Sequence, residues 1–373
     1  MSAKRESARS TNKPLAVAGA SVVMAGAAFA FAYSSLPDLF SVSYTSDTSV
    51  ATLAGPPPIP PLDTYAYDVK LLELAQVATS SPWYQAFLNP EATSSALVSQ
   101  KWPVRAAYPR DSRALLPFNR IVAYYGNFYS KAMGVLGQYE PDDMLARLNA
   151  AVAEWQAADP STPVIPAIHY IAIVAQGSEG KDGKYRARMP DDQIDKGLAL
   201  AEKVNGVLFI DLQVGLSNVE NEVAIYEDYL KRPDVHLALD PEFAMQTSGK
   251  KPGRVIGTLD AADINYAAEY LAGLVRQYDL PPKVLVVHRF THDMLTNYKQ
   301  IKPLPEVQIV IDMDGWGGQA KKKGTYNSVI YPEPVQFTGF KLFYKNDTLD
   351  GEPLLSPRQV LDLTPAPSYI QYQ

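Results

Sequence analysis

Val235-His236-Leu237-Ala238-Leu239-Asp240-Pro241-Glu242 alternates aliphatics on odd positions with a histidine, a small residue and two carboxylates on even ones. A strand of period two sends these sets to opposite faces. The odd face suits packing against helices, so His236, Ala238, Asp240 and Glu242 point inward. Val307-Gln308-Ile309-Val310-Ile311-Asp312-Met313-Asp314 repeats the pattern, with Asp312 and Asp314 inward at its C-terminal end. These two runs belong to a series of eight short apolar runs, at 121–125, 164–171, 207–211, 235–240, 284–288, 307–312, 340–344 and 369–372. Helical patterns at 141–158, 190–204, 218–230, 261–278, 292–300 and 357–363 lie between them, several opened by Pro or Asp. Residues 315–339 carry little helical character and are expected to be irregular. Strands alternating with helices predict a parallel sheet with covered faces. Residues 118–373 number 256, matching the roughly 250 of a closed α/β (β/α)8 TIM barrel. A doubly wound open sheet is the runner-up. Against it, Tyr125-Gly126-Asn127-Phe128 follows the first strand where a dinucleotide fold places Gly-x-Gly-x-x-Gly.

Upstream of the barrel, residues 65–117 read as a short helical collar, with Val69, Leu71, Leu72, Leu74 and Val77 in one segment and Trp83 to Leu88 in another. Residues 34–64 form a Pro-rich linker whose Gly55-Pro56-Pro57-Pro58-Ile59-Pro60-Pro61 favours polyproline II. It reads as a semi-rigid spacer or as an arm lying along the folded domain. In residues 1–33, Lys4, Arg5, Arg9 and Lys13 precede nineteen uncharged residues at 15–33. That order marks an export signal or a transmembrane anchor. Ala28-Phe29-Ala30 suits cleavage, and the length is close to the roughly 20 residues of a spanning helix. Either way the positive-inside rule puts the barrel on the periplasmic or extracellular side of the cell membrane, single-pass if the segment is retained.

The 373 residues carry 34 Lys and Arg against 40 Asp and Glu, a net charge of −6, with one short basic run at Lys321, Lys322 and Lys323. No basic face invites nucleic acid. The absence of cysteine rules out disulfides, thiolate metal sites, a Cys nucleophile and a lipidated N-terminal Cys.

Barrel enzymes place their chemistry at the C-terminal ends of the strands. There the third, fourth and sixth runs set Asp211, Asp240, Glu242, Asp312 and Asp314, joined by His288 from the fifth and His169 from the second. Buried charges are costly unless paired or used. Each Asp alone also suits a turn or a cap, and a lone His on a strand is more often a core group. Glycosidic cleavage needs one carboxylic acid to protonate the leaving oxygen and a second carboxylate as nucleophile or base. Glu242 as acid and Asp312 or Asp314 as partner meet that need, with Asp240 or Asp211 tuning the acid. Tyr124, Tyr125, Trp316 and Tyr344 offer faces to sugar rings and, with His169, are the candidate substrate contacts, although core packing is the commoner use of aromatics. A metal site of His169, Asp211, Asp240 and His288 ranks below this reading, because no His-x-His or His-Glu-x-x-His pair supports it. No metal and no other cofactor is expected.

Leu239-Asp240-Pro241-Glu242-Phe243, Pro252-Gly253-Arg254-Val255-Ile256-Gly257, Asp260-Ala261-Ala262-Asp263-Ile264-Asn265, Lys283 to Phe290, Asp312-Met313-Asp314-Gly315 and Lys341-Leu342-Phe343-Tyr344 together resemble an uncharacterised family of exported bacterial proteins and lipoproteins. The resemblance covers residues 121–373 and implies a glycoside-hydrolase-like barrel without a reaction to carry over. Without cysteine, membrane attachment has to come from residues 15–33. Two functions follow as expectations. One is a membrane-attached glycoside hydrolase acting on a carbohydrate. The other is a non-catalytic accessory or scaffolding subunit of a larger membrane complex, respiratory or photosynthetic for example, favoured by the anchor, the Pro-rich arm and the surplus of Tyr and Trp. An open mouth favours the first and a mouth plugged by the collar favours the second.

Overall fold

Short β-branched runs buried on both faces can only be satisfied where each strand has a neighbour on both sides. In the computed structural model, which describes residues 59–89 and 100–373, eight parallel strands achieve this by closing on themselves. They are β1 (Arg120–Gly126), β2 (Val164–Ala175), β3 (Val207–Leu212), β4 (Val235–Leu239), β5 (Lys283–Arg289), β6 (Val307–Met313), β7 (Phe337–Leu342) and β8 (Tyr369–Tyr372). Each pairs with the next, and β1 pairs with both β2 and β8, completing a (β/α)8 barrel. Seven of the eight expected runs fall on strands at nearly their expected bounds. The seventh strand lies earlier than the run at 340–344, so Lys341, not Tyr344, is its inward residue near the C-terminal end.

The helices follow the pattern with three corrections. Pro141–Ala158, Asp191–Lys203, Ala261–Tyr278 and Pro357–Leu361 form helices where expected. The pattern at 218–230 breaks into a turn of α-helix, a 3-10 turn and another helical turn. At 292–300 two 3-10 turns flank a two-residue strand, because Arg289 donates to the carbonyls of Thr291 and His292 and competes with a helical ladder. Residues 315–339, expected to be irregular, contain the helix Gln319–Thr325 continued by a π-helical turn at Tyr326–Ile330. Lys322 holds this segment in place by reaching the carbonyls of Gly315 and Lys341 at 2.8 and 2.6 Å. The Asp260-Ala261-Ala262-Asp263 motif has a local purpose: Asp260 and Asp263 form a reciprocal capping box that starts Ala261–Tyr278.

Parity decides the layers. Ile121, Ala123, Phe209, Ala238, Val284, Val286 and Val310 fill the barrel interior. Their neighbours Leu208, Ile210, Leu237, Leu285 and Ile309 pack outward against the helices. Two helices of the collar, α1 (Thr64–Leu74) and α2 (Pro82–Leu88), add Tyr67, Leu72, Trp83 and Phe87 to the interior cluster beside the first residues of the strands. They close the N-terminal end. Gln308 secures the segment that follows them, accepting from the Leu116 N–H at 3.0 Å and donating to its carbonyl at 2.6 Å. Of the Pro-rich linker, Pro60 is held where Ser112 Oγ donates to its carbonyl at 2.8 Å. The segment at 15–33 and the linker up to residue 58 lie outside the described residues, and among those described no helix is long and apolar enough to cross a membrane.

Candidate active site

With the collar at the opposite end, the C-terminal mouth is open. A cavity of about 650 Å³ sits there, and Tyr125, Gln213, Asp240, Glu242, Asp314, Trp316 and Lys341 are among its lining residues. They arrive by the parity of their strands: Tyr125 ends the inward face of β1, Gln213 follows β3, Asp240 and Glu242 follow β4, Asp314 follows β6 and Lys341 ends β7.

Asp240 organises the wall below Glu242. Its Oδ1 accepts from the Glu242 N–H at 3.1 Å and its Oδ2 accepts from Gln213 Nε2 at 3.1 Å. Gln213 Nε2 also donates to the Tyr125 hydroxyl at 3.4 Å. Burial pushes Asp240 well above the usual carboxylate range, and the charges of Asp211 and Asp314 push it further. Glu242 is pushed up to about 6, first by burial and then by the Asp314 carboxylate. Asp314 in turn faces Lys341, whose ammonium is 3.1 Å from Asp314 Oδ1 and 3.7 Å from the centre of the Tyr125 ring. Trp316, half exposed at 50%, presents its ring at the rim with Lys321 Nζ 4.6 Å from the ring centre.

His169, Asp211, His288 and Asp312 do not line the cavity. All four are fully buried beneath its floor. Asp211 Oδ2 lies 3.3 Å from His169 Nε2 and 3.4 Å from His288 Nε2, while His288 Nδ1 lies 3.2 Å from Asp312 Oδ2 and 3.4 Å from Asp314 Oδ2. His169 Nδ1 shares a 2.6 Å hydrogen bond with the Tyr369 hydroxyl. Gly339 makes room for this layer, since a Cβ there would meet Asp312 Oδ1 at 2.5 Å. Burial lowers His169 to about 4, against the opposing pull of Asp211. Burial also opposes charge on His288, but the nearby carboxylates of Asp211, Asp312 and Asp314 outweigh it and raise His288 well above the usual imidazole range. Asp211 is the mirror case: burial would raise it, yet His169 and His288 hold it low. Asp312 is raised by burial against the attraction of His288.

The expected site therefore divides. Glu242, Asp314, Asp240, Tyr125 and Trp316 meet at the cavity, whereas Asp211, Asp312, His288 and His169 act from below it, out of reach of a ligand in the cavity. His169 as a substrate contact is corrected on that ground. Tyr124 and Tyr344 are also corrected. Tyr124 falls on the outward face of β1 because its neighbours Ala123 and Tyr125 take the inward one, and its hydroxyl shares a 2.9 Å hydrogen bond with Tyr344 in a separate groove beside Tyr139, Arg147 and Tyr372. Lys341 went unrecognised as a site residue. Its signal was a lysine inside an apolar strand, which becomes inward once the strand is placed at 337–342. Three of the four residues weighed as metal ligands, His169, Asp211 and His288, offer ligand atoms within 4.8 Å of one another, and Asp240 stands apart with Gln213.

No protein-family model matches the chain, and no curated protein matches it. Among solved structures, the chain is similar to a cellulase, Cel5C_n, at 16% identity and a TM-score of 0.35, covering 64% of this chain and 69% of that one. It is similar to a Bacillus subtilis mannanase, man26, at 12% identity and a TM-score of 0.38, covering 72% and 88%. A broad-specificity endoglucanase from Bacteroides salanitronis overlaps at 10% identity and a TM-score of 0.30, covering 60% and 75%. Overlap this loose transfers neither a reaction nor a residue, so the fold rests on the strand pairing above and the chemistry on the cavity itself.

Proposed function

We propose that this barrel hydrolyses a glycosidic bond, with Glu242 as the proton donor and Asp314 as the second carboxylate. The observation that carries the reading is the pair itself: two carboxyl groups on one open cavity, one of which keeps its proton up to about pH 6 because it is buried and faces the other's charge. The Glu242 carboxyl gives its proton to the glycosidic oxygen as the bond to the anomeric carbon breaks. Asp314 either captures that carbon in an ester, which a water deprotonated by Glu242 then cleaves, or takes the proton of a water that attacks the carbon directly, and the separation of the two groups in the complex decides between retention and inversion. Lys341 positions Asp314, Asp240 holds the backbone that carries Glu242, and the exposed Trp316 ring supports stacking on a sugar face. The export signal or anchor at 15–33 would deliver this activity outside the cytoplasm. The accessory-subunit alternative gains nothing from the collar, which closes the other end of the barrel.

The test is release of reducing ends from a panel of plant and bacterial-wall polysaccharides and aryl glycosides, comparing the full chain with Glu242→Gln. A substrate cleaved by the native chain and spared by the variant supports the reading. Cleavage that persists unchanged in Glu242→Gln, or no cleavage across the panel, overturns it.

A further inference from the structure

Among the described residues, eight of the eleven buried side-chain nitrogen and oxygen atoms that lack a hydrogen-bond partner sit in one place. They are His169 Nε2, both oxygens of Asp211, both ring nitrogens of His288, both oxygens of Asp312 and Gln371 Oε1. Folded proteins pair their buried polar atoms, and a bound ion is one of the few reasons for a local failure. The cost of leaving them unpaired is highest where the dielectric is low. These atoms are close to one another, yet the contacts at 3.2 to 3.4 Å lack hydrogen-bond geometry.

Their spacing fits a different bond. A tetrahedral cation with ligand bonds of about 2.0–2.1 Å sets its ligand atoms about 3.3–3.4 Å apart. Asp211 Oδ2 lies 3.3 Å from one imidazole Nε2 and 3.4 Å from the other. The outer atoms fit as well. A histidine that ligates a metal through one nitrogen donates from the other to a carboxylate or a similar acceptor. His288 Nδ1 faces Asp312 Oδ2 at 3.2 Å, and His169 Nδ1 faces the Tyr369 hydroxyl at 2.6 Å. The Gln371 amide is 3.1 Å from the same His169 Nδ1. Turned over, which preserves its shape, it sets its unpaired oxygen against that N–H.

We propose that His169, Asp211 and His288 form a buried site for a divalent transition-metal cation, with zinc the best match to two imidazoles and one carboxylate, and with Asp312 and Tyr369 orienting the imidazoles. Tyr125 separates the site from the cavity, its ring centre 5.2 Å from that of His169 and 5.9 Å from that of His288. The ion therefore braces the floor on which Asp314 stands. This site is independent of the glycosidase reading, and its test reads metal, not hydrolysis.

The tag-free full chain, stripped with a chelator, is titrated calorimetrically with Zn²⁺ alone, followed by metal analysis and thermal unfolding. The expected result is one Zn²⁺ per chain and a raised Tm, with Co²⁺ in its place giving the visible absorption of a tetrahedral N/O site. Asp211→Asn should weaken Zn²⁺ binding at least a hundredfold, and Asp312→Asn, which touches no metal directly, about 10–100-fold. If Asp211→Asn does not fold, Asp312→Asn carries the comparison. A stripped native chain that takes up no stoichiometric Zn²⁺ or Co²⁺, or binding of undiminished affinity in the folded variants, overturns the proposal.

Discussion

The ammonium of Lys341 stands 3.1 Å from Asp314 Oδ1, joining the ends of the neighbouring strands β7 and β6 at the mouth of the barrel. Both side chains are almost wholly buried, and each has the other's opposite charge beside it. Removing one partner of such a pair leaves an uncompensated buried charge, at a cost of about 3–5 kcal/mol. Lys341→Met should lose that much in urea unfolding, and adding Asp314→Asn should restore most of it. A double variant no more stable than Lys341→Met would show that the pair is not what holds this wall.

Glu242 sets a pH dependence whose sign can be worked out. Its folded pKa, about 6, is above the ordinary 4.5. The folded chain therefore holds this proton more tightly, and the associated stability is present below pH 4.5 and lost as pH rises through about 6. As a proton donor, Glu242 should give kcat/KM a basic limb near pH 6. Asp314→Asn should lower the Glu242 pKa in a carbon-13 carboxyl titration, because one of the causes raising it is gone. An unchanged titration would remove Asp314 from the neighbourhood of the acid.

Trp316 tests where substrate lies. Its exposed ring contributes to binding without touching the bond that breaks, so Trp316→Ala should raise KM roughly tenfold, about 1.4 kcal/mol, with kcat nearly constant. A fall in kcat at constant KM would place the ring in the transition state instead.

Gly339 is required by space, since a Cβ there would lie 2.5 Å from Asp312 Oδ1. Gly339→Ala should cost about 1–3 kcal/mol, as overpacking of a dense interior does. It should also loosen the His288 imidazole, seen as a shifted or broadened imidazole resonance. A fully stable variant with an unmoved His288 signal contradicts the close packing.

Tyr124→Phe removes the hydroxyl bonded to Tyr344 outside the mouth. A loss of about 0.5–1.5 kcal/mol in stability, with hydrolysis unaffected, is expected. Altered kinetics would bring the outer groove into the reaction.

Much of this was legible along the chain. Alternation in the runs at 235–240 and 307–312 placed Asp240, Glu242, Asp312 and Asp314 on one face, because a strand's period of two is local and a buried face tolerates no slip. Strand and helix order implied a closed barrel for the same kind of reason. The same reasoning failed where local signals were balanced. Lys341 was hidden because the seventh run can start at Phe337 or Phe340. Tyr124 and Tyr125 were indistinguishable until closure assigned their faces.

Periodicity and composition along the chain therefore carry the class of fold, the inward placing of Asp240, Glu242, Asp312 and Asp314, and the lack of any thiol chemistry. Tertiary structure alone decided which of those residues reach the cavity, that Lys341 pairs with Asp314, and that His169, Asp211 and His288 converge beneath the floor. The physical reason is that periodicity specifies direction within one strand, while distance between residues on different strands is set by how all eight strands stagger and tilt to close the barrel.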